Sequence, residues 1–182
     1  MQKYKEQWEN YFNGEVTMWS YYGYSYHSYL ITKYIVSRLD LPQEGKIVQI
    51  GTGLGITIEL LCNLFEPDRV IGYDLFNPLN HPNIRFLDIN FNLPPENKIA
   101  YLEIDVGDVK TFKKQRNKVL NWACNNMVPG GYILTNKILA LDFNNDVLKQ
   151  EVRIIQLEDF DIPELWKNAH QSRLYTKVLL RF

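Results

Sequence analysis

Three alternating glycines between an apolar strand and a helix are the sharpest chemical signal in the sequence. Gly51, Gly53 and Gly55 follow directly after the strand-like run 46–50. Glycine lets the backbone turn tightly and approach a ligand closely, and a helix N-terminus offers N–H donors and positive partial charge. Asp74, at the end of the next strand-like run, could accept hydrogen bonds from ribose hydroxyls. The simpler alternatives are that the glycines form a plain strand-to-helix turn and that Asp74 only stabilises a turn at the end of its strand.

Strands and helices that alternate along the chain must position these residues. Periodicity predicts strands at 46–50, 69–73, 84–87, 99–104 and 132–135, helices at 54–65 and 110–127, a turn at 129–131, and late strands near 152–157 and 174–181. The linkers 76–82 and 90–98 are too short and too rich in Pro and Asn for full helices. This pattern predicts an α/β fold with a mostly parallel sheet and an antiparallel C-terminal strand.

The N-terminal residues 1–43 are predicted to form an aromatic helical cap. Helices are expected over 1–12 and 25–39, the second capped by Ser25, with an aromatic loop over 15–24 between them. The aromatic side chains could form a lid over a substrate pocket, or equally a core or an oligomer contact such as a homodimer interface. They are Trp19, Tyr21, Tyr22, Tyr24 and Tyr26.

The glycine spacing, G-x-G-x-G, resembles motif I of the class I S-adenosylmethionine (SAM)-dependent methyltransferases. Ile56 stands where the dinucleotide fingerprint G-x-G-x-x-G has its last glycine. The stretches 102–108 (Leu-Glu-Ile-Asp-Val-Gly-Asp) and 127–134 (Met-Val-Pro-Gly-Gly-Tyr-Ile-Leu) look most like small-molecule O-methyltransferases of the catechol and macrolide-sugar types. The resemblance implies a single domain over 1–182, a Rossmann-like sandwich in which 44–182 binds SAM beneath the cap.

The resemblance also implies which residues would hold SAM, with Asp74 on the ribose and Asp88 at the adenine edge. The full set is Gln49, Gly51, Thr52, Gly53, Gly55, Asp74, Leu75 and Asp88. Gln49 departs from the family, which usually has an acid at this position. Glutamine can accept a hydrogen bond from the methionine ammonium, but it brings no charge.

On the acceptor side, the resemblance implies Asp105, Asp108 and His27 as candidate catalytic residues. It also implies a magnesium pair of Asp105 and Asn136. Thr135 stands where the family has a second carboxylate, and one carboxylate with one amide makes a weak magnesium site. Asp88 could equally serve as an ordinary loop cap.

The expected function is SAM-dependent methyl transfer to a small-molecule acceptor, at oxygen. One alternative is a SAM- or nucleoside-binding protein of the same fold that has lost catalysis. This alternative is favoured by Gln49, by Thr135 and by the absence of an obvious base. The other is a nicotinamide-dependent oxidoreductase. The third glycine comes one position earlier than in the dinucleotide fingerprint, which argues against this alternative.

Composition and net charge limit the kinds of partner that the protein is expected to bind. The chain has 182 residues and a net charge of −1, so it lacks the positive field typical of nucleic-acid-binding proteins. Cys62 and Cys124 are too few for a disulfide framework or a zinc cluster. The basic residues of 110–118 are expected on a solvated helix face rather than in an RNA contact. With no signal-peptide or membrane pattern, a cytoplasmic protein without nucleic-acid or membrane partners is expected.

Overall fold

The computed structural model describes residues 21–77, 80–96, 98–106, 109–136, 153–155 and 177–182. Side chains are described for 29–77, 80–96, 98–106, 118–135 and 180–182. The helix predicted over 1–12, the loop residues 15–20 and Asp108 therefore lie outside the described residues. So do the side chains of His27 and of most of the aromatic cap.

The described strands form one seven-stranded sheet in the order β3-β2-β1-β4-β5-β7-β6. They are β1 (Lys46–Ile50), β2 (Val70–Asp74), β3 (Ile84–Phe86), β4 (Ile99–Ile104), β5 (Met127–Asn136), β6 (Arg153–Ile155) and β7 (Lys177–Arg181). The first five are parallel, whereas β7 runs antiparallel to both β5 and β6. The predicted mostly parallel sheet with an antiparallel C-terminal strand is thus confirmed. Its strand order reverses between β1 and β4, the position where α/β sheets bind ligands.

Helices cover both faces of the sheet. Helix α1 (Tyr21–Val36) and helix α2 (Ile56–Leu64) lie on one face, and helix α3 (Val109–Asn126) lies on the other. The alternation of side chains along each strand divides the core accordingly. On β1, Ile47 packs with the α1 and α2 residues, while Val48 and Ile50 pack with the α3 residues.

Helix α1 differs from its prediction. It covers Tyr21–Val36, so Ser25 lies inside the helix and the prediction that Ser25 caps it is wrong. Residues 21–24, predicted as loop, are helical. Aromatic residues cost only a few tenths of a kcal/mol relative to alanine in a helix. A tyrosine-rich segment can therefore continue a helix when its inner face packs on a sheet, as Ile31 and Ile35 do here.

The turn predicted at 129–131 is a bulge inside β5. Ile99 pairs with Met127, but Tyr101 pairs with Tyr132, so β5 carries extra residues against β4. Gly130 has φ +79° and donates its N–H to the Phe182 carbonyl at 2.7 Å. A glycine with positive φ and a local excess of residues define a β-bulge rather than a reversal of the chain.

The two linkers predicted to be short contain no helix among their described residues, 75–77, 80–83, 87–96 and 98. This confirms the prediction of reduced helices after the second and third strands. Within the described parts of the chain, no helix combines the length and the hydropathy needed to cross a membrane.

Candidate functional site

The first glycine of the loop is fixed between β2 and β4. The Gly51 N–H donates to the Tyr73 carbonyl at 2.8 Å, and the neighbouring Asp105 N–H donates to the Ile50 carbonyl at 2.9 Å. Gly51 has φ +84°, and a Cβ there would lie 2.3 Å from the Asp105 carbonyl oxygen. No other residue fits this position without moving β4. The loop therefore packs directly against the strand end that carries Asp105.

The Asp74 carboxylate anchors the next two residues of the loop. Its Oδ2 accepts the N–H of Thr52 at 2.6 Å, the N–H of Gly53 at 2.8 Å and the Thr52 hydroxyl at 3.3 Å. Its Oδ1 accepts only the Phe76 N–H, at 3.1 Å, among the bonds described. A carboxylate offers about four acceptor sites, and Asp74 is partly exposed. Oδ1 can therefore still accept a hydroxyl donor from a ligand.

The remaining loop glycines lead into α2. Gly53 and Gly55 have φ +55° and +80°, and the Gly55 N–H donates to the Thr52 carbonyl at 2.9 Å. A glycine that sequence reasoning missed supports the loop from below. A Cβ on Gly72 would lie 2.7 Å from the Thr52 methyl carbon, so Gly72 makes room for the loop.

Asp88 caps its own loop. Its Oδ1 accepts the N–H groups of Asn90 and Asn92 at 2.8 and 3.2 Å, and its Oδ2 accepts the Asn92 side-chain amide at 2.5 Å. Desolvation raises the pKa of Asp88, but the bonds from Asn92 and Asn90 and the charge of Lys118 outweigh it and leave the pKa lowered. The loop-capping contact expected as the alternative is present. The adenine-edge role stays a prediction.

The loop that Asp88 begins is tied to α3. The Lys118 ammonium donates to the Asn90 carbonyl at 3.1 Å and also to the Asn92 side chain. The Trp122 indole N–H donates to the Pro94 carbonyl at 2.6 Å. Lys118 is exposed, as expected of the basic face, but its ammonium is a specific loop contact. Lys118 therefore lies on an exposed helix face, as expected, and also contacts the loop.

A buried polar cluster lies on the α1 side of the sheet. Glu103 is fully buried and accepts hydroxyl donors from Thr32 at 2.6 Å and Tyr101 at 3.2 Å. Burial, then the Glu103 charge, raise the Tyr101 pKa well above its ordinary value. Gln49 is 1% exposed, and its Oε1 has no hydrogen-bond partner among the described residues. Sequence reasoning missed Glu103, although a carboxylate inside an otherwise apolar strand was its signal.

The remaining predicted site residues are only partly described. Leu75 and Asp105 are half-buried at the ends of β2 and β4. Asn136 ends β5, but its side chain, like that of His27, is outside the described residues, as is Asp108. The described residues contain no group of three or more His, Cys, Asp or Glu that could hold a metal. The magnesium pair finds no support among them and stays a prediction.

Large apolar side chains surround the carboxyl edge of β2 and β3. Phe76 follows Asp74 by two residues and is 69% exposed, Phe86 ends β3 at 76%, and Ile89 follows Asp88 at 63%. The charged acceptor Asp74 therefore has apolar contact area beside it.

Comparisons with known proteins yield structural likeness only. No protein-family model matches the sequence, and a search of curated proteins gives no match. A SAM-dependent methyltransferase from Archaeoglobus fulgidus matches with a TM-score of 0.51 and 13% identity over 86% of this chain and 92% of its own. A phosphoethanolamine N-methyltransferase 2 from Haemonchus contortus matches with a TM-score of 0.51 and 14% identity over 90% of this chain and 56% of its own.

A third structure, an amino pentose methyltransferase from Micromonospora echinaspora, matches with a TM-score of 0.42 and 15% identity over 71% of this chain. The chain spans 55% of the length of that relative. At these identities, a match concerns the arrangement of strands and helices.

Proposed function

We propose that this chain, which has the Rossmann-like fold of the class I SAM-dependent methyltransferases, binds SAM and methylates a small-molecule acceptor at oxygen. The observation that carries the proposal is the bonding of the glycine loop to Asp74. Oδ2 of Asp74 fixes the amides of Thr52 and Gly53, while Oδ1 keeps capacity for a ligand hydroxyl. A loop and an acid held in this way form a preorganised receptor for a ribose.

The described residues fit a ligand with several hydrogen-bond donors. Asp74 would accept from the ribose hydroxyls, and the Gln49 Oε1, which has no partner among the described residues, would accept a further donor. When bound, SAM would supply an activated methyl group on a positively charged sulfur. Asp105, on the strand end that contacts Gly51, would orient the acceptor hydroxyl or take its proton.

The cap and the remaining acceptor-side residues complete the proposal. The cap predicted over 1–43 would cover the acceptor pocket through its N-terminal part, since Ile31 and Ile35 of α1 pack against the sheet. Asp108 and His27 would be further candidates for proton transfer. A homodimer through the cap remains part of the proposal. Light scattering of the purified chain tests it, since a monomer of 21.5 kDa would contradict it.

A SAM-binding protein without transfer activity is the second candidate. His81, the histidine whose side chain is described, has its Nε2 3.0 Å from the Glu59 carboxylate, and its Nδ1 accepts the Asn83 N–H at 3.1 Å. Both ring nitrogens are therefore engaged, and His81 offers no base to an acceptor. The observation that favours binding without turnover is Gln49, which brings no charge where the family usually has an acid.

Calorimetry with SAM, S-adenosylhomocysteine (SAH) and NADH tests the cofactor. We expect saturable binding of SAM and SAH and none of NADH. Binding of NADH more tightly than SAM would instead favour the nicotinamide-dependent oxidoreductase. Transfer of a labelled methyl group to a panel of hydroxylated small molecules, with and without magnesium, then separates the two candidates. Binding of SAM without turnover of any acceptor would support the second.

A further inference from the structure

The backbone of the glycine loop has the shape of an anion site. Gly51, Gly53 and Gly55 have φ values of +84°, +55° and +80°, and helix α2 begins at the next residue, Ile56. Residues with positive φ that alternate with ordinary ones turn neighbouring N–H groups toward one concave side, which binds anions. In dinucleotide-binding proteins, a glycine loop before a helix holds the pyrophosphate of the cofactor. By its backbone alone, this loop would therefore suit a phosphate.

A carboxylate of the chain itself already occupies this anion position. Oδ2 of Asp74 accepts the N–H of Thr52 at 2.6 Å and the N–H of Gly53 at 2.8 Å. The Thr52 hydroxyl donates to the same oxygen at 3.3 Å. The donors that would hold a phosphate oxygen thus converge on one carboxylate oxygen. A phosphate could reach them only by displacing Asp74, or by lying directly beside a group of like charge.

The chain segments around the loop supply no cation that could offset this carboxylate. Residues 47–68, which include the loop and α2, contain no Lys or Arg, and α2 has an acid, Glu59, in its first turn. The next cation along the chain, Arg69, donates to the carbonyls of Gly45 and Pro42. These carbonyls precede β1, so they lie at the edge of the sheet opposite the loop. Phosphate-binding loops of the P-loop type, in contrast, place a lysine on the phosphates.

We propose that Asp74 is a specificity-determining residue that keeps phosphate groups off the glycine loop. Because its carboxylate fills the anion position, the loop accepts a ligand that is uncharged or positive at this point. The chemical class that fits is a nucleoside without phosphates, and nucleotides and dinucleotides are rejected. The inference does not depend on the proposed function, because it concerns the ligands that the loop excludes.

The expected size follows from Coulomb's law. Two like unit charges about 4 Å apart at an effective dielectric constant of about 20 repel strongly enough to weaken binding by well over about a hundredfold. Asp74 is partly exposed, so water and salt screen part of this repulsion. We therefore expect loss of the carboxylate to strengthen the binding of a phosphate-type anion by at least about tenfold.

Calorimetry with inorganic pyrophosphate, at constant ionic strength, tests the inference. Asp74→Ala removes the carboxylate and frees the N–H groups of Thr52 and Gly53, so it should bind pyrophosphate at least about tenfold more tightly than the wild type. In isotope-labelled protein, the amide signals of Thr52 and Gly53 should move on addition of pyrophosphate in the variant only. Wild-type protein that binds pyrophosphate as tightly as Asp74→Ala would overturn the proposal.

Two further variants guard this test. Asp74→Asn removes the charge but can keep an oxygen facing the loop, so it covers the case in which Asp74→Ala does not fold. It should bind pyrophosphate more tightly than the wild type, and no gain in either variant would also overturn the proposal. Asp68→Ala removes the same charge from the short 3-10 helix Pro67–Arg69 and frees no loop donor. An equal gain in Asp68→Ala, with the same loop amides moving, would contradict a specific role for Asp74.

This inference and the proposed function fail separately. Absence of SAH binding, together with a gain of pyrophosphate binding in Asp74→Ala, would overturn only the proposed function. Binding of SAH by a wild-type protein that also binds pyrophosphate at the loop amides would overturn only the exclusion of phosphates.

Discussion

Replacing Asp74 separates the support of the glycine loop from the recognition of a ligand. Asp74→Ala removes every acceptor for the N–H groups of Thr52 and Gly53. Asp74→Asn can keep an amide oxygen in the place of Oδ2, facing these two donors. Its NH2 group then takes the place of Oδ1, where a ribose hydroxyl would meet a donor instead of a carboxylate oxygen. The two variants should therefore differ in stability more than in affinity.

The magnitudes follow from the number and type of hydrogen bonds. Hydrogen bonds to a charged acceptor contribute about 1.5–3 kcal/mol each, neutral ones about 1 kcal/mol, and a buried donor left unpaired costs about 1–3 kcal/mol. Thr52 is buried at 5% exposure. We expect Asp74→Ala to lower the free energy of unfolding by about 3 kcal/mol and Asp74→Asn by about 1 kcal/mol. Loss of the charged acceptor should weaken SAH binding at least about tenfold in both.

Urea unfolding and calorimetry with SAH measure the two effects on the same samples. A matched control is Asp68→Asn, on the short 3-10 helix Pro67–Arg69 away from the loop, which should change neither quantity much. If Asp74→Asn keeps the full affinity for SAH, the carboxylate does not meet the ribose. If Asp74→Ala is as stable as the wild type, the loop does not depend on the Oδ2 bonds.

Gly51→Ala should lower the free energy of unfolding by at least about 3 kcal/mol, because its Cβ would lie 2.3 Å from a main-chain oxygen. Gly130→Ala has a similar φ, +79°, but its nearest atom is 4.0 Å away, so a loss of only about 1 kcal/mol is expected. Equal losses by thermal unfolding would contradict this. Thr32→Val should destabilise by about 2 kcal/mol through its lost bond to a buried carboxylate, while Thr32→Ser keeps the hydroxyl and most of the stability. Burial, then the charge of a neighbouring glutamate, raise the pKa of Cys62 to about 11 from 9.0. At pH 8 in a Cys124→Ser background, iodoacetamide should therefore alkylate Cys62 about a hundredfold more slowly than in the urea-unfolded chain, and equal rates would contradict the shift.

Strands were predictable where burial and local turn chemistry agreed. The run 99–104 is buried throughout and coincides with β4, because Lys98 before it and Asp105 after it both interrupt an apolar segment. The run 129–131 contains ordinary turn residues, yet it forms a bulge. Its conformation depends on pairing with the C-terminal residue Phe182, which lies far away in sequence. Local composition does not contain that information.

The candidate site was predictable in its glycines and its first acid but not in its buried cluster. The spacing from Gly51 to Asp74 places both at the same sheet edge once parallel strands are assumed. The pairing of Gln49 with Glu103 depends on the register between β1 and β4, which a one-residue slip would change completely. The bond from Thr32 to Glu103 joins residues 71 positions apart. Neither contact has a local signature.

The attachment of the Asp88 loop to α3 has a consequence for how a ligand would be received. Lys118 and Trp122 hold the backbone at Asn90 and Pro94, and Asp88 caps the start of the same segment. The conformational entropy of this segment is therefore lost during folding, and little remains to be lost on association. A molecule that docked beside Asp88 would therefore meet a segment with little conformational entropy left to lose.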